Sequence, residues 1–189
     1  AYSELVFDGR PGKSFLSYPG AKEVGFELNS FSKSFSMGGA RMAAMVGNRE
    51  AVAAYKKLMN TIDFGGFPAV QKAAVTALEC GDSFAKSVCA EYQRRRDLLI
   101  DAFQKAGWHI EPSQATMFVW ARIPAHFADS SVFASELLEK AGVLVNTGTS
   151  FGKEGARFVR FAMVRSDEEV FEAARRTEQS RILSEQDTF

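Results

Sequence analysis

At 189 residues, with 46% apolar residues and 17 phenylalanines, the chain can form one or two domains with substantial buried aromatic area. Its 23 basic and 23 acidic residues cancel, which argues against nucleic acid or an anionic membrane as the main partner. No apolar run approaches a membrane span, the opening residues do not read as a secretory leader, and the two cysteines and two histidines show neither a disulfide framework nor zinc-ligand spacing.

In chain order, residues 2–7 read as a strand end that runs into a loop over 8–12. Residues 23–31 alternate in part and predict a strand. It leads into Asn29-Ser30-Phe31-Ser32-Lys33-Ser34-Phe35-Ser36-Met37-Gly38-Gly39-Ala40-Arg41, where one lysine sits among four serines. Residues 42–46 have the pattern of a buried strand, ended by Gly47-Asn48. A helix is expected over 49–59, with a stripe of Val52, Tyr55 and Leu58. A breaker cluster at 63–68 separates it from a second helix over 69–80, stopped by Gly81. Cys80 and Cys89 fall in helical sequence and are expected to be packed thiols in a reducing cytosol. Asp82 or Ser83 can cap a long helix over about 84–106, with Gly107 as its C-cap. The polar middle of that helix, 93–97, predicts a solvated connector.

The remainder reads as a small α/β unit. A strand is expected over 115–123. Ser130 or Ser131 opens a helix that Gly142 closes after Lys140. Residues 143–145 and 158–164 are buried-strand candidates. Ser166 followed by Asp167, Glu168 and Glu169 reads as a helix cap with an acidic first turn. The last helix is expected to reach about Ile182, with a polar tail after it.

The chemistry concentrates in the lysine loop. A lysine amine can form an imine with a carbonyl. Hydroxyls, glycine-exposed backbone N–H groups and a guanidinium can hold a phosphate dianion. The loop therefore suits a phosphorylated aldehyde, although by itself it leaves open a solvated Ser/Lys loop between a strand and a turn. Gly152-Lys153 does not make a phosphate loop, because the glycine spacing from Gly148 is one residue short and Glu154 stands where a hydroxyl is needed. Arg160 lies in an otherwise apolar strand and needs an anionic partner. A helix glutamate is one candidate for it. Arg157 and Arg165 are expected to face solvent.

Ser30-Phe31-Ser32-Lys33, the short linker, Gly39-Ala40-Arg41 and the small-residue run 42–48 resemble the lysine loop of the class I/II aminotransferases. These are fold-type-I pyridoxal-phosphate enzymes. Ala1-Tyr2 is similar to the end of the family's Asp-x-Ala-Tyr motif, and the element order resembles the family's second half to about residue 183. The resemblance implies an α/β chain in two parts. Residues 1–95 are expected to be the C-terminal part of the cofactor-binding large domain, a mostly parallel sheet with helices. Residues 96–189 are expected to form a small α/β C-terminal domain, with the long helix as connector.

The same resemblance implies that Lys33 binds the cofactor as a Schiff base and moves protons. It implies that Ser30, Ser32 and Arg41 hold the cofactor phosphate. Tyr2 would bond the cofactor's phenolic oxygen; ordinary strand-end packing is the alternative. Arg160 would fork onto the α-carboxylate of the substrate. No metal is implied. The implied setting is a cytoplasmic homodimer that acts on amino-acid and 2-oxo-acid substrates. A chain of this extent is expected to be the C-terminal half of a subunit, and an inactive fragment or split-enzyme half that needs an N-terminal partner is the rival expectation. A β-lyase on the same scaffold is the enzymatic alternative. The lead-in Pro19-Gly20-Ala21-Lys22-Glu23-Val24 looks most like the aspartate and LL-diaminopimelate branch. Thr147 stands where the family usually has proline, Ala40 where many relatives have an aromatic residue, and Ala43 where they have glycine. The family's pyridinium-pairing aspartate has no counterpart in this chain.

Overall fold

The computed structural model describes residues 1–184. Most of the polar tail expected after Ile182 lies outside them. The chain divides between Glu91 and Tyr92 into two units.

In the first unit a helical turn, α1 (Ala21–Val24), precedes β1 (Phe26–Ser30). The strand expected from residue 23 starts later because the Gly25 N–H closes α1 on the Ala21 carbonyl at 2.9 Å. The link after β1 contains the helical turn α2 (Phe31–Ser34) and a 3-10 turn, Gly38–Ala40. It then enters β2 (Ala43–Gly47), which pairs antiparallel with β1, Phe26 opposite Gly47 and Ser30 opposite Ala43. The expected parallel pairing is not found among the described residues. Parallel neighbours need a full crossover, usually a helix, and this link doubles straight back. Gly47 has φ 137°, and a Cβ on it would lie 2.5 Å from the Phe26 Cα, so the close pairing requires glycine.

Two helices follow, α3 (Arg49–Ile62) and α4 (Pro68–Glu79), and a third, α5 (Asp82–Lys105), starts in this unit and continues into the second. Asn48 caps α3 by accepting the Ala51 N–H at 3.0 Å, and proline opens α4, where its missing N–H costs nothing. Leu5, Phe7, Phe31, Ala74 and Ala85 are buried. The outer faces are not. β2, expected to be buried, has Val46 exposed, and its partner strand exposes Phe26 and Leu28. α3 buries no residue despite its apolar stripe. Cys80 is exposed and only Cys89 is half-buried, so the expectation of two packed thiols holds for neither in full.

The second unit carries an antiparallel sheet of β3 (Phe118–Arg122), β4 (Asn146–Thr147) and β5 (Phe158–Ala162) in the order β3-β5-β4. The C-terminal part of α5 and two further helices, α6 (Ser130–Ala141) and α7 (Asp167–Gln179), complete it. The inward residues of β3 and β5, Val119, Ala121, Val159 and Phe161, are all buried. Phe103, Trp108, Phe133 and Phe161 pack edge-on or tilted with ring centroids 4.9–5.7 Å apart. Asp129, rather than either serine, caps α6, and its carboxylate accepts the Ser131 and Val132 N–H groups.

The strand expected over 143–145 falls instead on Asn146–Thr147. Gly142 adopts a left-handed cap, and the Val143 N–H is already committed to the Leu137 carbonyl, so Val143 and Val145 are buried without joining a ladder. The polar middle of α5 is solvated only in part, with Arg94 and Asp97 exposed. Arg94 forks onto Asp167, Arg95 donates to the Met163 carbonyl, and Arg96 is only 4% exposed with Nη1 on the Ser113 carbonyl at 2.8 Å. Consecutive residues on a helix point about 100° apart, so three adjacent arginines meet three different environments. Arg157 does not face solvent either: it donates to the carbonyls of Ile123, Pro124 and Phe127 and clamps that loop. Arg165 is exposed, as expected.

Candidate active site

Ser30 ends β1 in extended conformation and becomes the N-cap of α2, where its Oγ accepts the Ser32 N–H at 3.2 Å. Phe31 and Ser34, three apart on that turn, are both buried. They hold its inner face, and Ser32 and Lys33 are left half-buried on the other side. The loop closes at its neck, where the Phe31 N–H donates to the Met42 carbonyl at 3.2 Å and the Met37 N–H to the Phe31 carbonyl at 3.3 Å. This closure puts Arg41 on the same loop as Ser30, Ser32 and Lys33. Arg41 has left-handed backbone (φ 53°, ψ 46°), is exposed, and donates from Nη1 to the Gly38 carbonyl at 3.0 Å. Its guanidinium thus stays over the glycine pair.

Tyr2 sits at the start of a tight turn closed by the Leu5 N–H on the Tyr2 carbonyl at 2.9 Å. That turn is tied to the lysine loop through Glu4. Ser34, 1% exposed, donates from Oγ to the Glu4 carboxylate at 2.5 Å. Partial burial pushes the Glu4 carboxyl up, but hydrogen bonds from Ser34, Ser3, its own backbone and Asn29 outweigh this and hold it below its ordinary value. Sequence reasoning missed this latch. Its only trace was a serine three residues after Phe31, and nothing local names the partner thirty residues away.

In the second unit Arg160 lies on the outward face of β5, opposite Trp120 of β3 and Asn146 of β4. Its guanidinium carbon sits 4.1 Å from the centroid of the Phe118 ring and 4.4 Å from that of Phe151. Nη2 donates to the Asn146 side chain at 3.3 Å, and Nε is buried with no acceptor among the described residues. No acidic side chain among the described residues pairs with it, so the helix-glutamate alternative is not met. Phe151 follows Gly148 in a 3-10 turn, Gly148–Phe151, and packs edge-on against Trp120 at 5.3 Å. The aromatic neighbours were also missed. The alternation of β3 puts Phe118 and Trp120 on one face, but only the register brings that face to Arg160.

The sequence profile of the family described as aminotransferase class I and II matches residues 1–176. Among curated relatives, a putative aminotransferase, AatC, of Rhizobium meliloti is 43% identical over 99% of this chain and 46% of its own length. An LL-diaminopimelate aminotransferase of Moorella thermoacetica is 41% identical over 93% of this chain and 45% of its own. The substrate-bound BacF structure from Bacillus subtilis superposes with a TM-score of 0.89 at 39% identity, covering 95% of this chain and 46% of that one. The chain thus spans about half the length of the curated relatives it matches.

Proposed function

The chain belongs to the class I and II aminotransferases, and from that premise we propose that it serves pyridoxal-phosphate-dependent amino-group transfer between an L-amino acid and a 2-oxo acid. The observation that carries the reading is the β1–β2 loop, which gathers a half-buried lysine, two serine hydroxyls and an exposed guanidinium. That donor set fits a phosphorylated aldehyde. Ser30, Ser32 and Arg41 would hold the phosphate, and Tyr2, joined to the loop through Glu4 and Ser34, would orient the ring.

When bound, the cofactor supplies the electron sink that makes the substrate Cα–H acidic. The Lys33 amine would hold the cofactor at its aldehyde and would take up and return the substrate Cα proton. Arg160 binds the substrate carboxylate; its orphaned Nε and its lack of an acidic partner support that role. We place the complete enzyme in the cytoplasm as a homodimer of the aspartate and LL-diaminopimelate branch; the name of the Moorella relative supports the branch alone.

Borohydride trapping tests the loop assignment directly. The chain is incubated with pyridoxal phosphate, reduced, and mapped by peptide mass. One adduct at Lys33, absent from Lys33→Ala, is the expected result. Labelling scattered over many lysines, or none at Lys33, overturns the assignment. Donor and product analysis on active enzyme then separates transamination from β-elimination.

A further inference from the structure

Arg160 is held by an unusual set of neighbours for a charged group. Two phenyl faces lie 4.1 and 4.4 Å from its guanidinium carbon, and the one hydrogen bond it makes among the described residues is to a neutral amide. We propose that Phe118, Phe151 and Asn146 are positioning residues that pre-organise Arg160 for a carboxylate, a proposal that rests on the carboxylate role assigned to Arg160 above.

The argument is one of donor valence. A guanidinium has five N–H donors and a flexible stem. An acidic neighbour would fix the group but would also neutralise it and occupy its donors. A ring face attracts the cation through its quadrupole and takes no N–H in the plane of the guanidinium. Phe118 and Phe151 therefore restrain the charge against two rings without using its donors, which leaves its edge to an acceptor. Asn146 fixes rotation about the long axis with one hydrogen bond from Nη2 and adds no charge. Trp120 supports the arrangement from behind Phe151. Ordering the side chain in advance removes entropy that a carboxylate would otherwise have to overcome on binding. It also keeps the planar fork, the strongest form of carboxylate recognition, available to a ligand.

The test reads the Arg160 side-chain N–H resonances of the isotope-labelled full chain during titration with pyruvate, with Arg160→Lys to assign them. Pyruvate is expected to shift these resonances in the wild type. Phe118→Leu and Phe151→Leu keep apolar bulk but lose the π face, and each is expected to weaken binding about three- to tenfold. Phe151→Tyr keeps the π face and is expected to bind like the wild type. Asn146→Ala is expected to weaken binding about threefold, the size of one modest hydrogen bond. Backbone amide spectra of β3 and β5 verify that each variant is folded. If the two leucine variants bind pyruvate as the wild type does, the positioning proposal is overturned and the carboxylate reading survives. If wild-type Arg160 resonances do not respond to pyruvate, the carboxylate reading itself fails, and the positioning proposal with it.

Discussion

At the scale of single residues, the candidate site is built from side chains whose partners are neutral. Lys33 is displayed because Phe31 and Ser34 take the buried side of its turn, and Ser34 is fixed by Glu4. The Glu4 carboxyl sits below its ordinary value, so its contribution to stability has a defined sign. That contribution is present in full above the unfolded-state value near 4.5 and is lost as pH falls through the lower folded value. Urea unfolding of the wild type and Glu4→Gln should accordingly differ by a constant gap at neutral pH that closes under acid conditions. A gap that persists to the lowest pH would show that ionisation of Glu4 contributes nothing. Arg160 follows the same logic in the second unit, with aromatic faces in place of a serine.

At the scale of elements, caps and close backbone approaches decide the boundaries. α7 begins at a complete capping box: the Ser166 Oγ accepts the Glu169 N–H, and the Glu169 carboxylate accepts the Ser166 N–H. Farther along, Glu172 accepts from Arg175 and Arg176, and these bonds hold its carboxyl down to about 2. The turn beneath Phe151 is set by two glycines in contact. A Cβ on Gly148 would fall 2.1 Å from the Gly155 carbonyl oxygen and 2.5 Å from that of Phe158, backbone atoms that cannot step aside. Gly148→Ala is therefore expected to cost about 3 kcal/mol of second-unit stability. Thermal unfolding measures this, and an unchanged midpoint would mean that the turn opens freely. Phe151 should move with it, so the same variant ought to loosen Arg160.

At the scale of the whole molecule, the two units differ in how well they cover themselves. The second has a closed aromatic core behind its sheet. The first exposes Phe26, Leu28 and Val46 on its strands, Tyr55, Leu58 and Ile62 on α3, and Phe64 and Phe67 between helices. Apolar residues left exposed on strands, helix and loop favour association with a second surface. Sedimentation of the chain at increasing concentration is expected to show rising mass. A single species of monomer mass at all concentrations would contradict this.

The sequence by itself determined the local features. Helix caps, breakers at glycine and proline, period-two alternation in β3 and β5, and the clustering of Ser30, Ser32, Lys33 and Arg41 all depend on neighbours within a few residues. Those neighbours stay close in any fold the chain adopts. It could equally be seen that Arg160 sits among apolar residues and lacks a local partner. Only the tertiary structure decided which distant groups meet. The antiparallel return of β2, the Glu4–Ser34 latch, the three fates of Arg94, Arg95 and Arg96, the Arg157 clamp and the phenyl faces around Arg160 all depend on strand register and helix packing. A shift of one residue in register would exchange the faces of β3 and remove Phe118 from Arg160 altogether.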